Sequence, residues 1–306
     1  MPLLTVKNLS KTFDEEPVVK HVSFQCEHGK TIALIGPNGS GKTTVLRMLA
    51  GLLRPTTGTI QFQNQSASGN HFRSLIGYLP QYPVFYSWMT GKEFLTYSGE
   101  LTLMPKNKAQ DIAEQLLDKA GIYDVKDKKI STYSNGMKQR LGIAQAIIHH
   151  PKLLLLDEPV ASLDPLGKKD VLSFINDLKK EMTILYSTHS LTDVTEISDE
   201  LLLLDKGRVI ESGPLERLSG KYQITSSIKL EFHNDLEVYQ IKINQLPSVE
   251  TTYIKNNVLH VMTTNTSLAR VEILEAAVNE NWSLTHFTIV ETSLEDLFTK
   301  AVIPTS

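Results

Sequence analysis

Residues 31–50 read TIALIGPNGSGKTTVLRMLA, an apolar strand-like run followed by a glycine-rich turn and a helix-like segment. Within this stretch, Gly36 to Thr43 fit the pattern G-x-x-x-x-G-K-[ST] in the strand-to-helix context that the motif requires. Glycines let backbone N–H groups converge on phosphate oxygens, and the N-terminus of a helix adds the positive end of its dipole. The stretch therefore predicts a phosphate-binding loop inside an α/β domain.

The residues of this loop have separate predicted tasks. Lys42 is expected to reach the β- and γ-phosphates, and Thr43 to bind Mg²⁺ through its hydroxyl. A glycine-rich turn with an incidental lysine is the structural alternative, and the flanking strand and helix disfavour it. Nucleotide contacts are predicted for Gly36, Pro37, Asn38, Gly39, Ser40, Gly41, Lys42, Thr43 and Thr44.

An acidic pair follows an unbroken apolar run. Leu153–Leu156 has the composition of a parallel strand buried on both faces, and Asp157 and Glu158 come directly after it. This order places both carboxylates at the edge of the sheet where ligands of such sheets bind. Asp157 is predicted to lie on the Mg²⁺ side, and Glu158 to act as general base toward water. A solvated acidic turn is the alternative, and the presence of the phosphate loop disfavours it.

The first two thirds of the chain alternate β-rich runs with amphipathic segments, which predicts an α/β domain with a parallel central sheet over residues 1–218. Residues 90–149 are mostly helical in pattern and predict a helical subdomain inserted between two strands. The expected strands are Leu3–Asn8, Val18–Phe24, Thr31–Gly36, Thr59–Gln63, Leu75–Pro80, Lys152–Asp157, Thr183–Ser187 and Glu200–Asp205.

Residues 221–306 predict a small α+β accessory domain after a short helix at Gly213–Gly220. Helices are expected at Ser267–Asn279 and Ser293–Ala301. The expected strands are Tyr222–Phe232, Glu237–Ile243, Val258–Met262 and Ser283–Val290.

Composition limits the possible partners of the chain. Its 306 residues are 41% hydrophobic and carry a net charge of −3, so no basic excess points to a nucleic-acid partner. Cys26 is the only cysteine, which excludes an internal disulfide. No apolar run approaches the ~18 residues of a membrane-spanning helix. We therefore expect a cytoplasmic chain that reaches a membrane only through a partner.

The segment YSNGMKQR, Tyr133–Arg140, resembles the signature of the ATP-binding subunits of ABC transporters. In that family a loop of the LSGGQ type contacts the γ-phosphate held by the opposite subunit, and Ser134 and Gly136 match it. Asn135 replaces the commonest glycine, and its tolerance of left-handed backbone angles is expected to preserve the loop. Met137 replaces the commonest glutamine and cannot supply a side-chain hydrogen bond.

Further residues match the family in the expected order and receive their roles from the resemblance. Gln81 resembles the Q-loop residue that reaches Mg²⁺ and the attacking water, and His189 the switch histidine that senses the γ-phosphate. Asp164 resembles the D-loop residue at the dimer interface, and with Pro165 it is also a good helix start. Phe13 resembles the aromatic that stacks on adenine, with a core position as the alternative.

The resemblance implies a Mg²⁺-dependent ATPase in which two cassettes face each other around two ATP molecules. It also implies a multi-span membrane permease on a separate chain, at the cytoplasmic face of the cell membrane. The signature variant, the segment around Glu158–Pro165 and the terminal SLEDLF, Ser293–Phe298, resemble bacterial ABC-2-type export ATPases. The competing interpretations are a non-transport ABC ATPase acting on a macromolecular partner and an unrelated phosphate-loop kinase or GTPase.

Two segments predict contacts beyond the nucleotide site. The aromatic residues Tyr82, Phe85, Tyr86 and Trp88 follow Gln81 and form a candidate surface for a permease helix, with inward packing as the alternative. The C-terminal domain is expected to support the dimer, with covering of the cassette's own surface as the alternative.

Overall fold

The computed structural model describes residues 2–63, 65–66, 72–221, 226–233, 236–255, 257–263 and 265–290. The chain divides into two compact units, Met1–Leu215 and Glu216–Ser306. In the described residues no helix is both long and apolar enough to cross a membrane.

A six-stranded sheet forms the centre of the first unit, in the order β10-β9-β3-β8-β7-β6. Neighbours from β9 to β6 are parallel, and β10 pairs antiparallel with β9. Every residue of β3 and β7 is buried, as their continuous apolar sequences predict. The bounds are β3 Thr31–Ile35, β6 Ile76–Leu79, β7 Leu153–Asp157, β8 Thr183–Thr188, β9 Glu200–Asp205 and β10 Arg208–Pro214.

A second, antiparallel sheet runs in the order β2-β1-β4-β5. Val6 of this sheet belongs to the same hydrophobic core as Leu155 of β7 and Leu46, which lies in the helix after the phosphate loop. The first strand is longer than the predicted Leu3–Asn8, because it continues through several irregularities in register with β2. The bounds are β1 Leu4–Phe13, β2 Glu16–Cys26, β4 Thr57–Phe62 and β5 Gln65–Ser66.

The helical subdomain lies in the chain between β6 and β7. Thr90 and Glu93 form a reciprocal capping box at its first helix, as the sequence predicts. Two short 3₁₀ turns, Tyr123–Val125 and Ile130–Thr132, precede the helix that carries the signature residues. Counting α1, Lys42–Leu49, as the first helix of the chain, the three helices are α2 Gly91–Leu101, α3 Lys106–Lys119 and α4 Asn135–Ile147.

Three more helices follow in the chain, the last of them beginning at the boundary between the two units. They are α5 Pro165–Leu178, α6 Leu191–Ile197 and α7 Leu215–Lys221. The short helix predicted at Gly213–Gly220 therefore starts later than expected. Gly213 and Pro214 instead pair with β9 as the end of β10, a strand that the sequence analysis did not predict.

The second unit has the order β-α-β-β-α-β and an antiparallel sheet arranged β12-β13-β11-β14, the ferredoxin-like split βαβ arrangement. All three pairings in this sheet are antiparallel. A core of Ile228, Leu230, Leu259 and Val261 packs beneath its helices. The elements are β11 Ser226–Phe232, α8 Leu236–Ile243, β12 Thr251–Lys255, β13 Val258–Thr263, α9 Thr266–Asn279 and β14 Leu284–Val290.

The strand predicted at Glu237–Ile243 is wrong, because this segment forms α8. Its β-branched and aromatic residues suggested a strand, but Leu236, Tyr239 and Ile243 recur at helical spacing and pack into the core of this unit. Tertiary packing thus makes this segment helical although its residues have an intrinsic preference for a strand. The helix predicted at Ser293–Ala301 lies outside the described residues.

Candidate functional site

The candidate site lies where the parallel strands of the central sheet end at their carboxyl edge. The phosphate loop follows β3, the acidic pair ends β7, His189 follows β8 and Gln81 follows β6. Parallel strands in register bring these chain segments together, although they are distant in sequence. This edge is also where open α/β sheets bind their ligands.

The phosphate loop surrounds an open pocket of about 340 Å³. Gly41 has φ +104° and caps α1, a backbone angle that side-chain-bearing residues rarely adopt. The Ser40 hydroxyl is buried and has no hydrogen-bond partner within the described part of the chain, so it is an available donor. The pocket is lined by Val18, Asn38, Gly39, Ser40, Gly41, Lys42, Thr43, Thr44, Gln81 and Glu158.

Lys42 is buried and is held by the loop that carries it. Its Nζ donates to the backbone carbonyls of Gly36 at 2.7 Å and Pro37 at 3.2 Å. The same Nζ lies 3.6 Å from Glu158 Oε1. The ammonium group is therefore oriented between the loop and the candidate general base, within reach of both.

Thr43 and Asp157 provide the oxygen atoms expected of a magnesium site. The Thr43 hydroxyl donates to Asp157 Oδ1 at 3.0 Å, and Asp157 is buried. Mg²⁺ in phosphate-binding proteins is held by one or two protein oxygens together with the phosphates of the substrate. Among the residues that the structure describes, no group of three or more His, Cys, Asp or Glu side chains is arranged so that it could hold a metal ion by itself. The donor set therefore fits a Mg²⁺ that is shared with nucleotide.

Asp157 also affects a neighbour in β6. Burial raises the pKa of the Tyr78 hydroxyl, and the negative charge of Asp157 raises this pKa further. Asp157 is itself only 1% exposed, so little water screens its charge from a bound cation.

Glu158 is directed into the pocket by an unusual backbone conformation. Its φ is +49°, in the left-handed region that glutamate seldom occupies. The buried side chain places Oε2 2.9 Å from His189 Nδ1. Because Asp157 and Glu158 are adjacent but differ in backbone conformation, one carboxylate contacts Thr43 while the other contacts Lys42 and His189.

The signature segment is placed at the start of α4. Ser134 is the N-cap, and its hydroxyl accepts a hydrogen bond from Met137 N–H at 3.2 Å. Asn135 is the first helical residue and has no positive φ, so the left-handed angle considered for it is wrong. A helical φ is the ordinary one for any residue there, so asparagine at this position causes no strain.

Two glycines bring the signature segment against the helix that follows Asp164. A Cβ built on Gly136 would lie 3.2 Å from Gly167 Cα, so α4 and α5 meet here through backbone. A Cβ built on Gly167 would lie 2.7 Å from Asp164 Oδ1. Asp164 is the N-cap of α5 and is followed by proline at the first helical position, as predicted, although its side chain makes no capping bond.

The structure brings together only part of the predicted set. Lys42, Thr43, Asp157, Glu158 and His189 are joined by direct contacts, and Gln81 lines the same pocket. Seven further predicted residues are absent from the described lining of this pocket: Phe13, Gly36, Pro37, Ser134, Asn135, Gly136 and Asp164. Phe13 ends β1 with 43% of its surface exposed, and Lys11 Nζ lies 4.9 Å from its ring centroid.

One residue of the site was missed by the sequence analysis. Ser187 is fully buried in β8, directly beside Asp157 in the sheet, and contacts both members of the acidic pair. A serine near the end of a strand matches no motif. The available signal was a polar residue near the carboxyl end of a strand in the parallel sheet, two positions before His189.

The fold and site define a class: phosphate-loop α/β proteins whose central sheet carries an inserted helical subdomain. Residues 19–161 match the family model described as ABC transporter. The uncharacterized ABC transporter ATP-binding protein YxlF of Bacillus subtilis (strain 168) is 40% identical over 98% of this chain and 99% of its own. The chain belongs to the ABC transporter ATP-binding proteins, a family of ATPases.

Other relatives and solved structures agree with this assignment. The bacitracin transport ATP-binding protein BcrA of Bacillus licheniformis is 29% identical over 98% of this chain and 97% of its own. A solved ATP-binding subunit of an ABC transporter has a TM-score of 0.64 and 30% identity, covering 72% of this chain and 93% of that one. CbiO1 from Clostridium perfringens, part of the complex cbiONQ, has a TM-score of 0.66 and 26% identity, covering 80% and 96%.

Proposed function

We propose that this chain is the Mg²⁺-dependent ATPase subunit of an exporter, and that two copies hydrolyse ATP at their shared interface to drive a separate membrane permease. The contact chain Thr43–Asp157 and Lys42–Glu158–His189, at the mouth of the phosphate loop, carries this proposal. It supplies a cation for phosphate, oxygen ligands for a metal and a carboxylate near the position of the reacting phosphate.

Each residue has a task in the proposed reaction. Lys42 and the N–H groups of the loop bind the β- and γ-phosphates, while Thr43, Asp157 and Gln81 hold Mg²⁺, which neutralises charge on the phosphates. Glu158 accepts a proton from water as the water attacks the γ-phosphate. His189 contacts Glu158 and orients its carboxylate. Phe13, exposed at the end of β1, stacks on adenine.

A second cassette completes the site in this proposal. Ser134, Asn135, Gly136 and Asp164 lie outside the described lining of their own chain's pocket, which is the arrangement expected if they serve a partner chain. A two-fold dimer then contains two identical composite sites. Binding of ATP closes the pair, and loss of phosphate opens it, so the permease is driven by the difference between two states.

The exposed aromatic residues after Gln81 are the proposed docking surface for the permease. Tyr82, Tyr86 and Trp88 are at least half exposed, whereas Phe85 is less exposed and its ring meets Phe94 edge-on with centroids 5.2 Å apart. Both alternatives, an exposed docking surface and inward packing, therefore apply to different residues: three of the rings face solvent, and Phe85 packs inward. Apolar surface of this kind is typical of protein contacts.

Replacing Tyr82 and Trp88 together by alanine is expected to remove most of the membrane partner that copurifies with the detergent-solubilised, tagged chain, and to leave its ATP affinity unchanged. Leu52→Ala is the matched control, because Leu52 and Trp88 are equally exposed at 65%. Mass spectrometry of the copurified material identifies the partner. If the double variant recovers as much multi-span protein as the wild type, the proposed docking surface is contradicted. If the wild-type chain copurifies with a macromolecule that is not a multi-span membrane protein, the non-transport alternative is supported.

Export is supported by resemblance to the ABC-2-type subgroup, and the relative BcrA is named for bacitracin transport. The proposed location, the cytoplasmic face of the cell membrane, follows from docking on the permease. No nucleic-acid partner is proposed, because the net charge is −3.

The second unit is proposed to support the dimer. Removing residues 222–306, just after the end of α7, is expected to weaken ATP-dependent dimerisation about tenfold. This factor corresponds to a contribution of roughly 1.4 kcal/mol by the second unit to the free energy of association. Analytical ultracentrifugation of the full and shortened chains, both in Glu158→Gln form, measures the two dissociation constants. Equal constants favour the alternative in which this unit only covers the cassette.

A further inference from the structure

The hydroxyl of Ser187 contacts both acidic residues of the site. Ser187 Oγ donates to Asp157 Oδ1 at 2.8 Å, and the same oxygen accepts from Glu158 N–H at 2.9 Å. Ser187 and Asp157 are register partners in β8 and β7, and Ser187 is completely buried. A single side chain thus bridges the proposed metal-side carboxylate and the backbone of the proposed general base.

The bond to the Glu158 backbone fixes a conformation that glutamate does not favour by itself. At φ +49° a residue with a Cβ is strained, and such strain persists only where surrounding contacts hold it. The Glu158 N–H is buried beside β8, so water could not replace the Ser187 hydroxyl as its hydrogen-bond acceptor. The left-handed conformation turns the Glu158 side chain toward Lys42 and His189, away from the direction taken by Asp157.

The bond to Asp157 orients the other carboxylate. Asp157 Oδ1 accepts from two hydroxyls, those of Thr43 and Ser187. Two donors on one oxygen fix the plane of the carboxyl group, as outer hydrogen bonds do for metal-binding residues in general. The Thr43 contact depends on the phosphate loop, whereas the Ser187 contact is built into the sheet.

We propose that Ser187 is a positioning residue for ATP hydrolysis, whose hydroxyl sets both the left-handed backbone of Glu158 and the orientation of Asp157. This inference rests on the proposed function and adds to it a residue outside the phosphate loop and the acidic pair. Ser187 acts through its two partners and does not touch the nucleotide.

Ser187→Ala is expected to lower kcat roughly 10-fold to 100-fold, the range seen for outer hydrogen-bond partners. Affinity for a fluorescent ATP analogue is expected to stay within about twofold of the wild type, because the phosphate loop is intact. Tyr186→Phe is the matched control, since it also removes a buried hydroxyl of β8, one that contacts Ser198 Oγ at 2.6 Å. Tyr186→Phe is expected to retain wild-type kcat.

A double-mutant cycle separates positioning from loss of stability. In the Glu158→Gln background, adding Ser187→Ala is expected to lower single-turnover hydrolysis clearly less than it does in the wild type, because one of the two residues that Ser187 positions has already lost its function. Full additivity of the two losses overturns the inference. So does unchanged kcat in folded Ser187→Ala, or an equal loss in Tyr186→Phe.

The same measurements distinguish this inference from the proposed function. A wild-type chain without ATPase activity, or a Glu158→Gln variant with normal activity, contradicts the proposed function itself. Normal wild-type activity, an inactive Glu158→Gln variant and a fully active Ser187→Ala variant leave the proposed function intact and overturn only the role of Ser187.

Discussion

Replacing Glu158 by glutamine is expected to reduce ATP turnover by about 100-fold or more, the usual contribution of a general base. Glutamine keeps the shape of the side chain but cannot accept the proton of the attacking water. It also removes a negative charge 3.6 Å from Lys42, so ATP binding is expected to be retained or tightened. The ATP-bound dimer should therefore accumulate, and size-exclusion chromatography with phosphate-release kinetics measures both effects.

The control for this variant is a carboxylate of the same type outside the site. Glu181 pairs with Lys119 on the surface and is more than half exposed, so Glu181→Gln is expected to retain wild-type turnover. If Glu158→Gln keeps more than about a tenth of the wild-type rate, Glu158 is not the general base and the reaction uses another acceptor.

Replacing Ser134 by aspartate is expected to lower ATP turnover by about 100-fold or more without affecting the fold. Aspartate is as good an N-cap as serine, so the bond from Met137 N–H and the start of α4 are preserved. In the proposed dimer the new negative charge faces the γ-phosphate of the ATP bound by the partner chain, where hydrogen-bond donors are required to stabilise the phosphate charge. Steady-state ATPase activity and the melting temperature are measured on the same samples.

Ser134→Asn is the matched control, because asparagine also caps the helix but carries no charge. It is expected to lose clearly less activity than Ser134→Asp. Binding of ATP to the isolated aspartate variant should match the wild type, since Ser134 is absent from the described lining of its own chain's pocket. Weakened binding in the monomer places Ser134 beside its own chain's nucleotide and contradicts the shared site.

Local patterns were sufficient to predict the elements that position the site. Strand β3, the loop at Gly36–Thr43 and the following helix form one continuous motif, and the apolar run before Asp157 predicts a doubly buried strand. These predictions depend on residues close in sequence, so the chain itself carries the signal. The family and fold class are confirmed by the comparisons.

Contacts between distant segments could not be predicted in the same way. The left-handed φ of Glu158 depends on Ser187, which is 29 residues further along the chain and becomes its neighbour only when β7 and β8 pair. The strand predicted at Glu237–Ile243 failed for a related reason, because its residues satisfy both periods and only the sheet beneath α8 selects the helix. The site roles of Gln81, Ser134 and Asp164 stay predictions.

The contact between Gly136 and Gly167 has a consequence for the divergence of related sequences. A Cβ on Gly136 would lie 3.2 Å from Gly167 Cα, so a side chain at position 136 requires a small shift of α5, whereas a Cβ on Gly167 would meet Asp164 Oδ1 at 2.7 Å. Position 136 is therefore expected to change together with the positions around Gly167, or not at all, over evolution. Covariation between them would report the packing of α4 on α5 even in relatives whose structures have not been determined.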